Sequence, residues 1–258
     1  GTFMNYVGRD TLPPLRLYTY VSSAANGIRG TLAVGGTTKE RLPIKAMKEG
    51  MAEYAVYPRA LSATERMRVE SAMALRHGIT LNHSYFNSKG LVVRNYYRLK
   101  AYNHRVAGII GDSTSCLYLS AGQSAEGEAV VRVAAKAIGE GASYLWGDNA
   151  KRLAFAADRG NGKWMQRRWA ATTTGTPVAG MTLTLDTRSI RQLEPLGEGE
   201  SYYLAVDNSG TGKFPVGQLR YYKAHMGQAD SITFMGISAG VGESVFTFRA
   251  AKDFFSTI

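Results

Sequence analysis

The sequence predicts a mainly β protein, an antiparallel β-sandwich with one capped α-helix near residues 63–77. Three observations carry that expectation. Beyond residue 81, short strand-like runs recur at spacings of roughly 10–15 residues with Gly, Asn, Asp and Ser between them, the rhythm of a sandwich or barrel. Gly (29 residues) and Tyr (15) are abundant, and with Thr and Val they make the composition of strands joined by tight turns. One stretch, Ser62 to Gly78, carries helix punctuation at both ends.

Taken in order, residues 1–50 read as short strands between turns. Leu15–Val21 alternates cleanly, and Thr31–Val34 ends in the turn signal Gly35-Gly36. Glu53–Tyr57 alternates polar with apolar residues and is rich in Tyr and Val, which predicts a half-buried strand. Pro58 has no N–H to donate and ends it. Ser62 stands three residues before Glu65, the spacing of a capping box. Val69, Ala72, Met73 and Arg76 share one helical face, with Arg66, Arg68 and Glu70 pointing elsewhere. Gly78 suits a left-handed C-terminal cap. A helix is therefore expected over Ala63–His77. Strands are expected at Gly90–Val93, Val106–Ile110, Leu117–Leu119, Ala129–Ala134, Ser143–Trp146, Gln166–Ala171, Met181–Leu185, Ser201–Val206, Gln218–Tyr222, Ser231–Gly236 and Val245–Phe248. Helix gives way to strand rhythm near Leu81–Asn82, which divides the chain into residues 1–81 and 82–258.

The net charge is +11, concentrated in residues 1–100, where 15 Lys/Arg face 6 Asp/Glu. The basic residues there (Arg9, Arg16, Arg29, Lys39, Arg41, Lys45, Lys48, Arg59) are dispersed. With no Lys/Arg block, zinc-finger spacing or RNA-binding aromatic signature, the expectation is a solvated basic surface and no nucleic-acid partner. No apolar run approaches the ~18 residues of a membrane span. The start lacks a secretory signal and reads as a trimmed or processed product. Cys116, the single cysteine, excludes a disulfide within the chain. Its place in Ser115–Leu119 predicts a small core residue, and no neighbouring base would activate it.

Candidate chemistry is sparse. Ile110-Gly111-Asp112-Ser113 resembles the nucleophile block of GDSL-type esterases, but His225 follows Tyr222-Lys223-Ala224 and the Asp-x-x-His pair is absent; an Asp/Ser turn is expected. His77, His83, His104 and His225 lack metal-ligand spacing, and His77 suits a helix C-terminus. Asp158–Gly162 and Asp207–Gly210 offer oxygen ligands for Ca²⁺, although plain turns are the expectation and no cofactor is required. Gly162-Lys163 and Gly212-Lys213 fail the phosphate-loop spacing. The glutamates that a glycosidase would need (Glu126, Glu128, Glu140, Glu194, Glu198, Glu200, Glu243) lie in turn-like context. Trp146 and Trp169 read as core. Trp164, beside Gly162 and Lys163 in an expected loop, is the candidate for stacking on a sugar. In Tyr96-Tyr97, Tyr202-Tyr203 and Tyr221-Tyr222, one ring of each pair is expected inside and one outside.

Several blocks in order resemble a β-rich domain of large secreted Bacteroidota surface proteins, one that follows the C-terminal end of a laminin-G/concanavalin-like module. They are Ala52–Leu61 with Glu65–Leu81, Tyr102–Asp112, Tyr144–Asn149, Arg167-Arg168-Trp169 with Met181–Asp186, Tyr203–Asp207 and Val245–Phe248. The pattern departs at His77, where that family carries an aromatic, and at Gly108–Ser113. The resemblance implies that residues 1–81 close the laminin-G-like module and 82–258 form the sandwich domain. It implies an extracellular or cell-surface, multidomain parent. The function expected is a non-catalytic structural or adhesive module. A glycan-binding, lectin-like module is the alternative, and an esterase or glycosidase stands third. A glycan, a surface protein or other parts of the parent polypeptide are the expected partners.

Overall fold

The computed structural model describes residues 2–6, 17–21, 52–157, 162–190, 193–226 and 230–253. The expected strand at Thr31–Val34, the Asp158–Asn161 part of one candidate calcium loop and all but Arg59 of the dispersed basic residues lie outside them. In chain order the elements are β1 (Thr2–Tyr6), β2 (Leu17–Val21), α1 (Ala63–His77), β3 (Tyr85–Phe86), β4 (Val92–Arg94), β5 (His104–Asp112), β6 (Leu117–Leu119), β7 (Ala121–Gly122), β8 (Val131–Ala135), β9 (Ser143–Asp148), β10 (Phe155–Ala157), β11 (Lys163–Met165), β12 (Trp169–Thr174), β13 (Val178–Asp186), β14 (Glu200–Asp207), β15 (Leu219–Lys223), β16 (His225–Met226), β17 (Ser231–Ala239) and β18 (Gly242–Lys252).

These form an antiparallel β-sandwich. The large sheet runs β15-β14-β18, then β12 and β11 side by side along one edge of β18, then β9 with β10, β5 and β6. The small sheet runs β16-β17-β13-β8-β7. Every strand expected from Gly90–Val93 onward is present, within a few residues of its expected bounds. One is displaced by three residues: β12 runs Trp169–Thr174, Gln166–Arg168 lies outside the ladder, and the Thr247 hydroxyl lies 3.0 and 2.8 Å from the Met165 and Arg167 carbonyl oxygens there.

Alternation explains the core. Ala107 and Ile109 of β5, Trp146 of β9, Trp169 of β12, Leu204 and Val206 of β14, and Phe246 and Phe248 of β18 face Val131, Val133, Met181, Leu183, Leu185, Ile232, Phe234 and Ile237 of the small sheet. Trp169 stacks on Phe246 with centroids 5.6 Å apart and planes 8° off parallel. At β5, β6 and β9 residues of the opposite face are buried too, because a third layer covers them. Val106, Ile110, Leu117 and Leu145 pack against Ala74, Leu75, Ile79 and Leu81 of α1 and its exit, and against Tyr85 and Val93 of the β3-β4 hairpin. One apolar core thus crosses Leu81–Asn82, the boundary expected from the sequence.

The helix forms where expected and for the expected reason. Ser62 and Glu65 complete the capping box, and Gly78 adopts φ 65°. Its buried face differs from the expected one. Glu70, Ser71, Ala74 and Leu75 turn inward, since Glu70 finds partners there: the Thr19 hydroxyl at 2.7 Å, His83 Nε2 at 2.9 Å and Arg66 at 3.7 Å. A charge is buried when it is paired. Glu53–Tyr57 is not a strand; its residues are mostly exposed and irregular. Glu53 is held by Arg76 and His77 of α1 rather than by a ladder.

Candidate functional site

Most sequence-predicted candidates prove to be parts of the scaffold. Asp112 ends β5 and accepts from the Ser88 N–H at 2.7 Å and the Ser88 hydroxyl at 2.5 Å. Ser113 is exposed and its N–H donates to Glu140 at 3.0 Å, while His225 lies on the other sheet; the esterase arrangement is not assembled. Asp207 accepts from the Ser209 N–H at 2.8 Å, the Ser209 hydroxyl at 2.5 Å and the Phe214 N–H at 3.1 Å. Burial raises its carboxyl, but the turn donors outweigh that and hold it below the usual range; Asp207–Gly210 is a turn held by its own donors. Glu126 is buried and accepts from the Thr80 N–H at 3.0 Å. Glu128 pairs with Arg167 and Glu194 with Lys163. Among the described residues, no three His, Cys, Asp or Glu side chains converge as a metal site would need.

Cys116 is exposed rather than core. It ends a 3₁₀ turn in the left-handed region at φ 49°, and Leu117 takes the inward place. Trp164 lies on strand β11, not in a loop. Its half-buried ring packs on Phe214, with centroids 5.3 Å apart, and Arg249 lies 5.0 Å from the ring centre. Arg249 also approaches the Tyr221 ring at 5.7 Å and its Nη1 donates to the Tyr221 hydroxyl at 3.0 Å. The result is an aromatic–cation–aromatic row on the outer face of the large sheet. Tyr202 and Tyr203 are both buried. Tyr202 enters the inter-sheet core, while Tyr203, opposite Arg249 on β18, lies beneath this row and donates to Asp253 at 2.7 Å.

Arg94 was invisible as a special residue in the sequence. It is 1% exposed and clamps the outer layer to the large sheet, donating to the carbonyls of Ala170 at 2.9 Å, Tyr102 at 2.7 Å and Leu145 at 3.4 Å. Burial pushes its guanidinium down to about 10.

The concave feature that sequence reading missed is a cleft of about 540 Å³ between the sheets. It opens where edge strand β15 of the large sheet faces β17 of the small one. Leu183, Leu204, Val206, Ile237 and Phe246 form its apolar floor; Asn208, Gln218, Arg220, Glu243 and Ser244 stand at the polar side. The seam narrows toward Ser238, whose N–H donates to the Tyr222 hydroxyl at 3.3 Å. No local motif encodes this cleft, because its walls come from six strands spread over some hundred residues of sequence.

No curated protein and no solved structure matches the chain. Residues 65–240, from the first turn of α1 to the turn before β18, match the family model DUF8202, a domain of unknown function, and the chain belongs to that family.

Proposed function

We propose that this chain is a non-catalytic structural or adhesive module of a secreted or cell-surface bacterial protein. The observation that carries the reading is where its acidic side chains are spent. Asp112, Asp148, Asp207, Glu70 and Glu126 each hold donors of the fold itself, whereas a general acid or base needs a lone pair or proton aimed at a substrate. A three-layer β scaffold stiffened this way suits display and adhesion. The surface location, and a Bacteroidota parent with a laminin-G-like neighbour, rest on the ordered sequence blocks from Ala52 to Phe248.

A second reading, a glycan-binding module, is favoured by the Trp164–Arg249–Tyr221 row, whose outer rings are half-buried at the surface. A glycan array run with and without Ca²⁺ at two salt concentrations separates the two. A specific, salt-resistant hit that Trp164→Ala removes supports the glycan reading. Hits confined to acidic glycans and lost at high salt reflect the net charge alone. Turnover of a chromogenic ester that disappears in Ser113→Ala overturns the non-catalytic reading.

A further inference from the structure

We infer that Glu53–Tyr57 is a pairing strand for a second copy of this chain, two copies joining antiparallel about a two-fold axis at Ala55. This goes beyond the adhesive reading and stands or falls separately from it.

The segment has the composition of a strand and lacks a sheet. It carries the Tyr/Val alternation of a half-buried strand, yet among the described residues its backbone groups make no backbone hydrogen bond. Tyr54, Val56 and Tyr57 are 64%, 61% and 45% exposed, so three of the ten large exposed apolar side chains among the described residues fall within four positions. Both ends are fixed. Glu53 is held by Arg76 and His77 in the last turn of α1. Arg59 donates to both Glu65 oxygens in the first turn, at 2.9 and 2.6 Å. Glu65 and Arg76 lie about 17 Å apart along the helix axis, and the steps from Glu53 to Arg59 reach at most ~20 Å, which draws the segment out along α1. Ordering it on binding therefore costs little.

Symmetry and charge select a second copy as the partner. In an antiparallel pair centred on Ala55, Tyr54 of each copy stands opposite Val56 of the other, an aromatic–β-branched pair of the kind that stabilises sheets. The small Ala55 side chains meet at the axis, and Pro58, without an N–H, ends the ladder. The two charges that bound the stretch, Glu53 and Arg59, are already paired within their own chain, so Tyr54–Pro58 brings no like charges together. The sheet edges of this protein are protected in ways that this segment is not. β6, β7, β10 and β16 are two or three residues long, and β15 carries the exposed Arg220 and Lys223; short or charged edges discourage pairing. The competing account is that the segment pairs with a sheet edge of a different domain, which would leave this chain monomeric.

Analytical ultracentrifugation of the purified chain is the test, with a disulfide trap to fix the register. The paired stretch is short, well below the ~1,200 Å² of tight complexes, so a reversible dimer is expected at roughly tens to hundreds of micromolar chain. Val56→Lys should weaken it about tenfold or more by placing a charge in the pair. Val216→Lys, at a 92% exposed position between β14 and β15, should leave it unchanged. The trap uses a Cys116→Ser background, since that thiol is exposed. Ala55→Cys places two thiols at the axis, where paired Cα atoms stand about 4.5–5.5 Å apart, within disulfide range. Tyr57→Cys places them about 14 Å apart. Mild oxidation should therefore cross-link the first variant and not the second. Each variant is checked for an unchanged melting transition. A chain still monomeric at about 500 µM, a dimer indifferent to Val56→Lys, or equal cross-linking of the two cysteine variants overturns the inference.

Discussion

Two of the chain's crossings between the sheets take a single residue, one at each side of the sandwich, and they differ. At one, Ser120 alone separates β6 from β7, and the sheets approach so closely that a Cβ on Gly122 would lie 2.3 Å from the Gly108 carbonyl oxygen. The end of α1 is stitched to the same side: the Ala125 N–H donates to the Gly78 carbonyl at 2.9 Å and the Ser124 hydroxyl to the same oxygen at 3.1 Å. At the other, Ala224 alone separates β15 from β16, but the seam widens from there toward Arg220 and the β17–β18 turn. Gly217 and Gly240, which line that cleft, have open space where a Cβ would stand. A one-residue crossover therefore does not by itself close a sandwich. Closure needs small residues at the contact and an outer layer pressing on it, and the β15–β17 side lacks the glycine contact.

Breaking the clamp of the outer layer should have the largest effect. Arg94→Ala leaves three buried carbonyls without their donor and should cost about 3–5 kcal/mol in urea unfolding. Gly122→Ala forces backbone apart at the closed seam and should cost about 1–3 kcal/mol. Ser62→Ala removes half of the α1 capping box and should cost about 1 kcal/mol, visible as a lower denaturation midpoint with an unchanged slope. Acid probes the same helix start. Hydrogen bonds from Arg59, then from the Ser62 backbone, hold the exposed Glu65 carboxyl down at about 2. A depressed carboxyl adds stability that is complete above its unfolded value of 4.5 and drains away as pH falls toward 2. In Arg59→Ala that loss should be smaller and should finish at a higher pH, its onset still set by the unfolded value, read from melting temperatures across pH 2–6. Gly217→Ala, at the open seam, should change stability by less than about 0.5 kcal/mol. A cost equal to that of Gly122→Ala would erase the contrast between the seams.

The layers also explain which parts of the fold were legible. Strands of the small sheet have one covered face and alternate, as β8 does with Val131, Val133 and Ala135 buried and Arg132 exposed. The large sheet is covered on both faces at β5 and β9, which are buried almost throughout. Both patterns are strong enough to locate strands. The misread segments are those whose state depends on a partner. Glu53–Tyr57 alternates like a strand yet makes no ladder. Glu70 looks like a surface residue until Thr19 and His83 meet it. Trp164 sits beside a glycine and a lysine as a loop residue would, yet β18 pairs with it.

Local chemistry by itself determined the helix from Ala63 to His77, the succession of strands and the sandwich class. Those depend on capping, turn residues and period-two burial, which neighbours in sequence supply. Tertiary structure alone decided which charges are paired, where the sheets touch and where they part. A cleft or a buried arginine clamp is made by strands a hundred residues apart, and no local pattern records which of them will meet.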